Sequence, residues 1–299
     1  MAGMRGGGLG WGSRVSKAMS TRQMVVHHDD IAANHGTNVA FVEFFDRGIC
    51  TSGSVMVPCP WFPEIAEIAR GRPDLDLGVH LTLNAEFGSY RWRPLTGVSD
   101  NGLTDADGYM WRDVPSARHA DPAAVEAELR AQIDTALAAG IDVTHLDSHM
   151  GTVVMPEYVD IYLKLGAEYR LPVFLIRDVV GFAAAETHGA AVATRYAAAW
   201  DGIVAKGNPP FSAFVTSPWG NKGDVETAYR RILSAAKPGL NWGAFHFDMP
   251  GAIEAYSPDA RMRIDEYEFF RSGRARALFD EFDIELVGMR GFRDAMRSA

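Results

Sequence analysis

The stretch MVVHHDDIAAN, residues 24–34, runs from a short β-branched segment into His27 and His28 and then into two adjacent carboxylates, Asp29 and Asp30. It reads as a buried strand with a polar tip. Like charges this close repel, and burying either one unpaired is costly. A cation or a proton resolves the conflict, and a cation needs further ligands from elsewhere in the chain.

Outward from that strand, short β-branched runs alternate with longer segments of helical spacing. NVAFVEFFDRG puts Val39, Val42 and Phe45 on one face of a predicted helix and Gly48 at its stop. SGSVMVPC, LDLGVHLTLN and IDVTHLDSH read as the next strands, separated by PWFPEIAEIARG and DPAAVEAELRAQIDTALAAG as helices. VFLIR, FSAFVTS, NWGAFHF and IELVG continue the strands, with PEYVDIYLKLGAEYR, AAVATRYAAAWDGIVAKG, DVETAYRRILSAAKPG and RIDEYEFFRSGRARALFDEF between or before them. About eight strands, each followed by a helix, predict an α/β fold: a single distorted (β/α) barrel of seven to eight strands. An open doubly wound sheet ranks second, weakened by the lack of a G-x-G-x-x-G turn after the first strand. The irregular segment over residues 84–120, with Tyr90, Trp92, Tyr109 and Trp111, is long enough to predict a functional loop.

Residues 1–23, with the run GGGLGWGS, read as a flexible extension without a signal-peptide core, and residues 24–299 as one barrel domain. The 299 residues are 47% hydrophobic and 22% charged, as in a globular protein. A net charge of -9 without a basic cluster excludes nucleic acid as a sequence-independent partner. No apolar run reaches membrane-spanning length, and integral membrane association is not expected. Cys50 and Cys59 bracket a strand too long to bridge, so both read as free thiols. A cytoplasmic location follows as the expectation.

In a barrel of this kind the chemistry gathers at the carboxyl ends of the strands. Asp29 and Asp30 end the first strand, His80 lies late in the third, His145, Asp147 and His149 end the fourth, and His246 falls near the end of NWGAFHF. Each has a bland alternative. An Asp pair caps turns, and a lone strand histidine is more often a satisfied core imidazole. HLDSH is more specific, because its alternating polar residues share one strand face. The remaining histidines, His27 and His28 among them, are read as structural or exposed.

These segments resemble a family. HHDDIAANHGTNVAFVEFFDRGICTSGSVMV, LGVHLTL, THLDSHMGTVVMPEY and RLPVFLIR, with RIDEYEFFRSG and IELVG further on, are similar to the YdjC-type carbohydrate deacetylases, which include a chitooligosaccharide deacetylase. The resemblance implies a polysaccharide-deacetylase-like barrel and one divalent metal on Asp30, His80 and His149, with Mg or Zn first and Co or Mn next. It implies Asp29 as the base and His246 as the late family histidine. The implied reaction is hydrolysis of an N-acetyl group from an amino sugar, oligosaccharide or glycolipid, with release of acetate, in a chain expected to form a homodimer. His246 would protonate the departing amine and His145 or Asp147 would support a ligand histidine. Arg177, Trp92, Trp111 and Tyr90 are candidates for binding substrate, against salt-bridge and core-packing alternatives.

Three departures stand out. The usual NADDFG is HHDDIA here, the histidine-rich continuation of DSH is MGT, and FHFDMPG separates His246 from its Pro-Gly. Two other classes are compatible with these residues: a barrel that binds a glycan or metal without turnover, and an Fe(II) oxygenase using His145, Asp147 and His246.

Overall fold

The computed structural model describes residues 21–177 and 185–298. Residues 1–20 of the expected extension lie outside them, and the first strand begins at Arg22, two residues before the expected boundary. In chain order the elements are β1 (Arg22–Ile31), α1 (His35–Asp46), β2 (Ser52–Val55), α2 (Phe62–Gly71), β3 (Leu77–Leu81), α3 (Val114–Ala117), α4 (Pro122–Ala138) and β4 (Leu146–Ser148). There follow α5 (Val159–Tyr169), α6 (Ala185–Val204), β5 (Phe211–Thr216), α7 (Val225–Ser234), β6 (Gly239–Phe245), α8 (Ala260–Arg271), α9 (Arg274–Glu281), β7 (Ile284–Leu286) and α10 (Arg290–Ser298).

The strands form one seven-stranded sheet in the order β4-β3-β2-β1-β6-β5, with β7 also paired to β1, and every pairing is parallel. From Met24 to its end β1 is buried throughout, as a central parallel strand covered on both faces must be. Among the described residues β4 and β5 do not pair, so the sheet curls into a half-barrel rather than a closed ring.

The expected strand VFLIR accounts for the missing closure. It contributes only a bridge at Val173, where Leu146 N–H donates to Pro172 O and Phe174 N–H to Leu146 O. On its other edge Val173 is satisfied by a side chain. Its N–H donates to Asn208 Oδ1 at 2.8 Å, and Asn208 Nδ2 donates back to its carbonyl at 3.1 Å. An amide thus occupies the groups a further strand would need, and nothing drives the ladder to extend.

In α1 the buried face is Ala40, Phe41 and Phe44, with Val39, Val42 and Phe45 only half-buried. The expected stripe is therefore rotated. Phe44 packs against Phe247 at 5.0 Å and Tyr267 at 5.2 Å between ring centroids, and that aromatic cluster under α8 sets which face turns inward. Asn34 caps α1 in a reciprocal box with Thr37. Both cysteines are buried free thiols.

Adjacent strand residues point to opposite faces, so two neighbouring aspartates could not both reach one site from a regular strand. The β1–β2 register shifts between His28 and Ile31, and Asp30 has φ 60. This bulge turns both carboxylates to the rim. Ala32, with φ 78, follows in a conformation that glycine adopts freely. A β-branched side chain there should be strained: Ala32→Val is expected to lower unfolding free energy by roughly 1–3 kcal/mol. For Ala32→Gly, relief of φ strain is offset by a lost buried methyl and a freer unfolded chain, leaving a change under about 1 kcal/mol in denaturant titration.

Candidate metal centre and active site

The β3–β4 register sets His80 opposite Asp147. Both side chains leave the same face, and Asp147 Oδ2 accepts from His80 Nδ1 at 2.9 Å. Ser54 Oγ on β2 donates to the same oxygen at 3.0 Å. With Nδ1 so held, His80 presents Nε2 to the rim, the orientation that a carboxylate imposes on a ligand histidine. That nitrogen lies 3.4 Å from Asp30 Oδ1.

His149 enters from the sharp turn after β4, where Met150 and Gly151 take φ 53 and 71. Its Nδ1 lies 3.0 Å from the same Asp30 oxygen, and its Nε2 is 2.9 Å from Glu86 Oε2. Asp30, His80 and His149 thus offer one oxygen and two nitrogens within 4.8 Å of one another, all buried. The other Asp30 oxygen accepts from Arg263 Nη1 at 2.6 Å.

The electrostatics favour a cation at this point. Against burial, the Arg263 guanidinium and His149 hold the Asp30 carboxyl well below its ordinary range. Against burial, Glu86 and Asp30 push His149 up to about 9, and Asp147, Asp30 and Asp29 push His80 well above its ordinary value. Both imidazoles therefore attract a positive charge, which protons or one divalent ion can supply. A mixed carboxylate and imidazole set suits a hard or borderline divalent metal.

Asp29 stands beside this set and shares His80 with it, since Asp29, His80 and Asp147 form a second group that could hold a metal. Asp29 Oδ1 accepts from His27 Nδ1 at 2.6 Å, while Oδ2 faces His246 Nε2 at 3.7 Å and His80 Nε2 at 4.0 Å. Burial raises its pKa, opposed by the His27 hydrogen bond and charge. His246 is held by a chain from below. Its backbone N–H donates to Glu266 Oε2 at 2.6 Å, and Ser217 Oγ donates to that oxygen at 3.0 Å. The Ser217 proton is thereby used, so His246 Nδ1–H donates to Ser217 Oγ at 2.9 Å and Nε2 carries the lone pair. Burial holds His246 well below its ordinary value and pushes Glu266 up to about 7.

Several expected positions lie elsewhere. Arg177 is an exposed partner of Asp201, 3.0 Å away, which is the salt-bridge alternative. Trp92 does stay beside the site, its buried ring edge-on to His149 at 6.3 Å between centroids, with Nε1–H donating to Asn84 O at 2.7 Å. Trp111 donates Nε1–H to Gly102 O at 2.7 Å, and Tyr90 donates its hydroxyl to Ala33 O. These aromatics pin the long loop rather than present a free ring face. Among the described residues, His145, Asp147 and His246 form no common ligand group, which removes the geometry of the oxygenase alternative. His28 is structural, its Nε2 3.1 Å from Thr37 O, and burial lowers it to about 4.

Side chains that escaped the sequence reading include Ser54, Ser217 and Glu266, which support the site histidines. Arg263 on α8 and Glu86 in the loop after β3 carry no periodic signal. Trp219, after β5, is 43% exposed with its ring centroid 4.6 Å from that of His246. His27 did carry a signal, since it sits two residues before Asp29 and shares its strand face.

A parallel α/β half-barrel whose rim joins an Asp-His-His donor set to a second carboxylate defines an α/β protein with a buried site that could hold a metal ion. A family profile described as YdjC-like protein matches residues 23–281, and the chain belongs to that family. A carbohydrate deacetylase of Thermus thermophilus is 31% identical over 262 residues, covering 87% of this chain and 90% of the relative. A second, from Brevibacillus brevis, is 35% identical over 153 residues, covering 50% of this chain and 58% of the relative. A crystal structure from Enterococcus faecalis V583, named a "putative cellobiose-phosphate cleavage protein", superposes with a TM-score of 0.73 at 21% identity, covering 91% of this chain and 99% of the other. That likeness speaks for the fold alone. Among the described residues no helix is long and apolar enough to cross a membrane.

Proposed function

We propose that this chain is a metal-dependent carbohydrate N-deacetylase, hydrolysing an N-acetyl group from an amino sugar, oligosaccharide or glycolipid to release acetate. The observation that carries the reading is the division of labour between neighbours: Asp30 joins His80 and His149, while Asp29 keeps Oδ2 turned toward His246. Relatives named carbohydrate deacetylases support the same class. A divalent ion on Asp30, His80 and His149 would polarise the acetamide carbonyl and acidify a water.

The chain's own residues supply the proton traffic. Asp29, with its basicity raised by burial, accepts the proton of the attacking water. His246 rests neutral with an Nε2 lone pair, so it must gain a proton before it can protonate the departing amine. Asp29 Oδ2, 3.7 Å away, is the near source, and a small closing movement brings the two within hydrogen-bond reach. Ser217 and Glu266 hold the imidazole so that Nε2 faces the site. The exposed Trp219 indole beside His246 offers a stacking surface for a sugar ring.

The test is acetate release from N-acetylglucosamine oligomers and N-acetylated glycolipids, with Mg, Zn, Co or Mn supplied to chelator-treated protein. Acetate formation that disappears with the chelator and returns with metal supports the reading. Sugar binding without acetate release from any metal-saturated sample would instead establish a non-catalytic barrel.

A further inference from the structure

Beneath Asp29 the interior of the half-barrel holds a line of polar side chains whose hydrogens can be counted. His27 Nδ1 lies 2.6 Å from Asp29 Oδ1, His27 Nε2 lies 2.9 Å from His145 Nε2, and His145 Nδ1 lies 2.9 Å from Thr144 Oγ1. Thr144 Oγ1 in turn lies 2.6 Å from Asp76 Oδ1. Both rings are fully buried, and the His145 ring packs so tightly on Gly78 that a Cβ there would approach it to 2.5 Å.

Each contact needs one hydrogen, and each group has a fixed supply. Asp76 already accepts from Ser52 Oγ at 2.9 Å and from Arg290 N–H at 2.8 Å. As a carboxylate it can only accept again, so Thr144 gives its single hydroxyl proton to Asp76. His145 Nδ1 must then carry the hydrogen that reaches Thr144. At the other end, a base that rests ionised accepts from His27, so His27 Nδ1 also carries a hydrogen. Two neutral rings would now face each other lone pair to lone pair across 2.9 Å. One further proton between the Nε2 atoms removes that conflict, and the separation is that of an N–H···N hydrogen bond.

We propose that His27 is a buried imidazolium in the working enzyme, donating Nδ1–H to Asp29 and Nε2–H to a neutral His145, and that it is the positioning residue of the base. Burial and the neighbouring His27 hold His145 well below its ordinary value, which makes His145 the neutral acceptor. The charge on His27 is met by Asp29 at 2.6 Å and by Asp147 Oδ2 at 3.8 Å, and the Trp242 ring lies 4.3 Å from its centroid. His27 thereby engages Oδ1 and leaves Oδ2 as the oxygen that faces His80 and His246. The inference rests on Asp29 acting as an ionised base.

The test is nitrogen NMR of the full metal-loaded chain with 15N-histidine, assigned through His27→Asn, or through His145→Gln should the first not fold. The expected spectrum near neutral pH has both His27 ring nitrogens protonated and His145 neutral with hydrogen on Nδ1. His27→Asn should lower kcat by about 10–100-fold with KM little changed. A neutral His27 in the native chain overturns the inference, and so does a second bound ion per chain that perturbs both rings. Asp29→Asn separates this from the wider reading. Lost acetate release alongside a neutral His27 ends only the present inference, whereas retained acetate release ends the assignment of Asp29 as base and the role of His27 with it.

Discussion

Asp29→Asn is expected to lower acetate release by about 10²–10⁴-fold, the usual worth of a positioned general base, while the metal content stays that of the native chain. The two halves of that result come from different neighbours. Asn at position 29 keeps an oxygen for His27 Nδ1–H but cannot take a proton from water. The donors Asp30, His80 and His149 are untouched. Steady-state acetate assays paired with metal analysis of the same samples check both. Near-native turnover would refute the base, and loss of metal together with activity would move Asp29 into the ligand set.

A second large effect follows from the double duty of Asp30. One oxygen belongs to the donor set and the other neutralises Arg263, which is 6% exposed and holds the 2.6 Å contact. Among the described residues Arg263 Nε has no hydrogen-bond partner, and the other carboxylates acting on its charge are Glu86 and Asp248. Removing the charge at position 30 takes away the carboxylate bonded to this buried cation and leaves only the more distant charges of Glu86 and Asp248, a loss of up to about 3–5 kcal/mol. Asp30→Asn, chosen because asparagine tolerates the left-handed backbone at φ 60, should show that loss in denaturant unfolding and should release no acetate. Asp30→Asn with Arg263→Met should recover most of the stability and none of the activity. A single variant as stable as the native chain would mean that the Arg263 pair contributes little.

The parts of the fold visible in the sequence were those written in a local period. Alternation in HLDSH sets His145 and Asp147 on one face, and the β-branched run before the Asp pair marks a strand that is buried on both sides. Closure of the barrel carried no such mark. At the open edge a single side chain, Asn208, bonds both backbone groups of Val173 some 35 residues away. The two aspartates also share a rim through a bulge with a positive φ at Asp30, which composition does not announce. Arg263, Glu86 and Trp219 come from a helix and loops, where distance along the chain says nothing about distance in space. His27 is different. The alternation that singled out HLDSH applies equally to HHDD and places His27 under Asp29.

The central claim is that one divalent cation sits among Asp30, His80 and His149, with Asp29 beside it. Anomalous diffraction from crystals grown with Co or Zn, collected at the absorption edge of the metal, tests this most directly. The account predicts one peak per chain, about 2.0–2.2 Å from a carboxylate oxygen of Asp30 and one nitrogen each of His80 and His149. A metal-saturated crystal whose peak lies on other residues, or is absent from this rim, would contradict it.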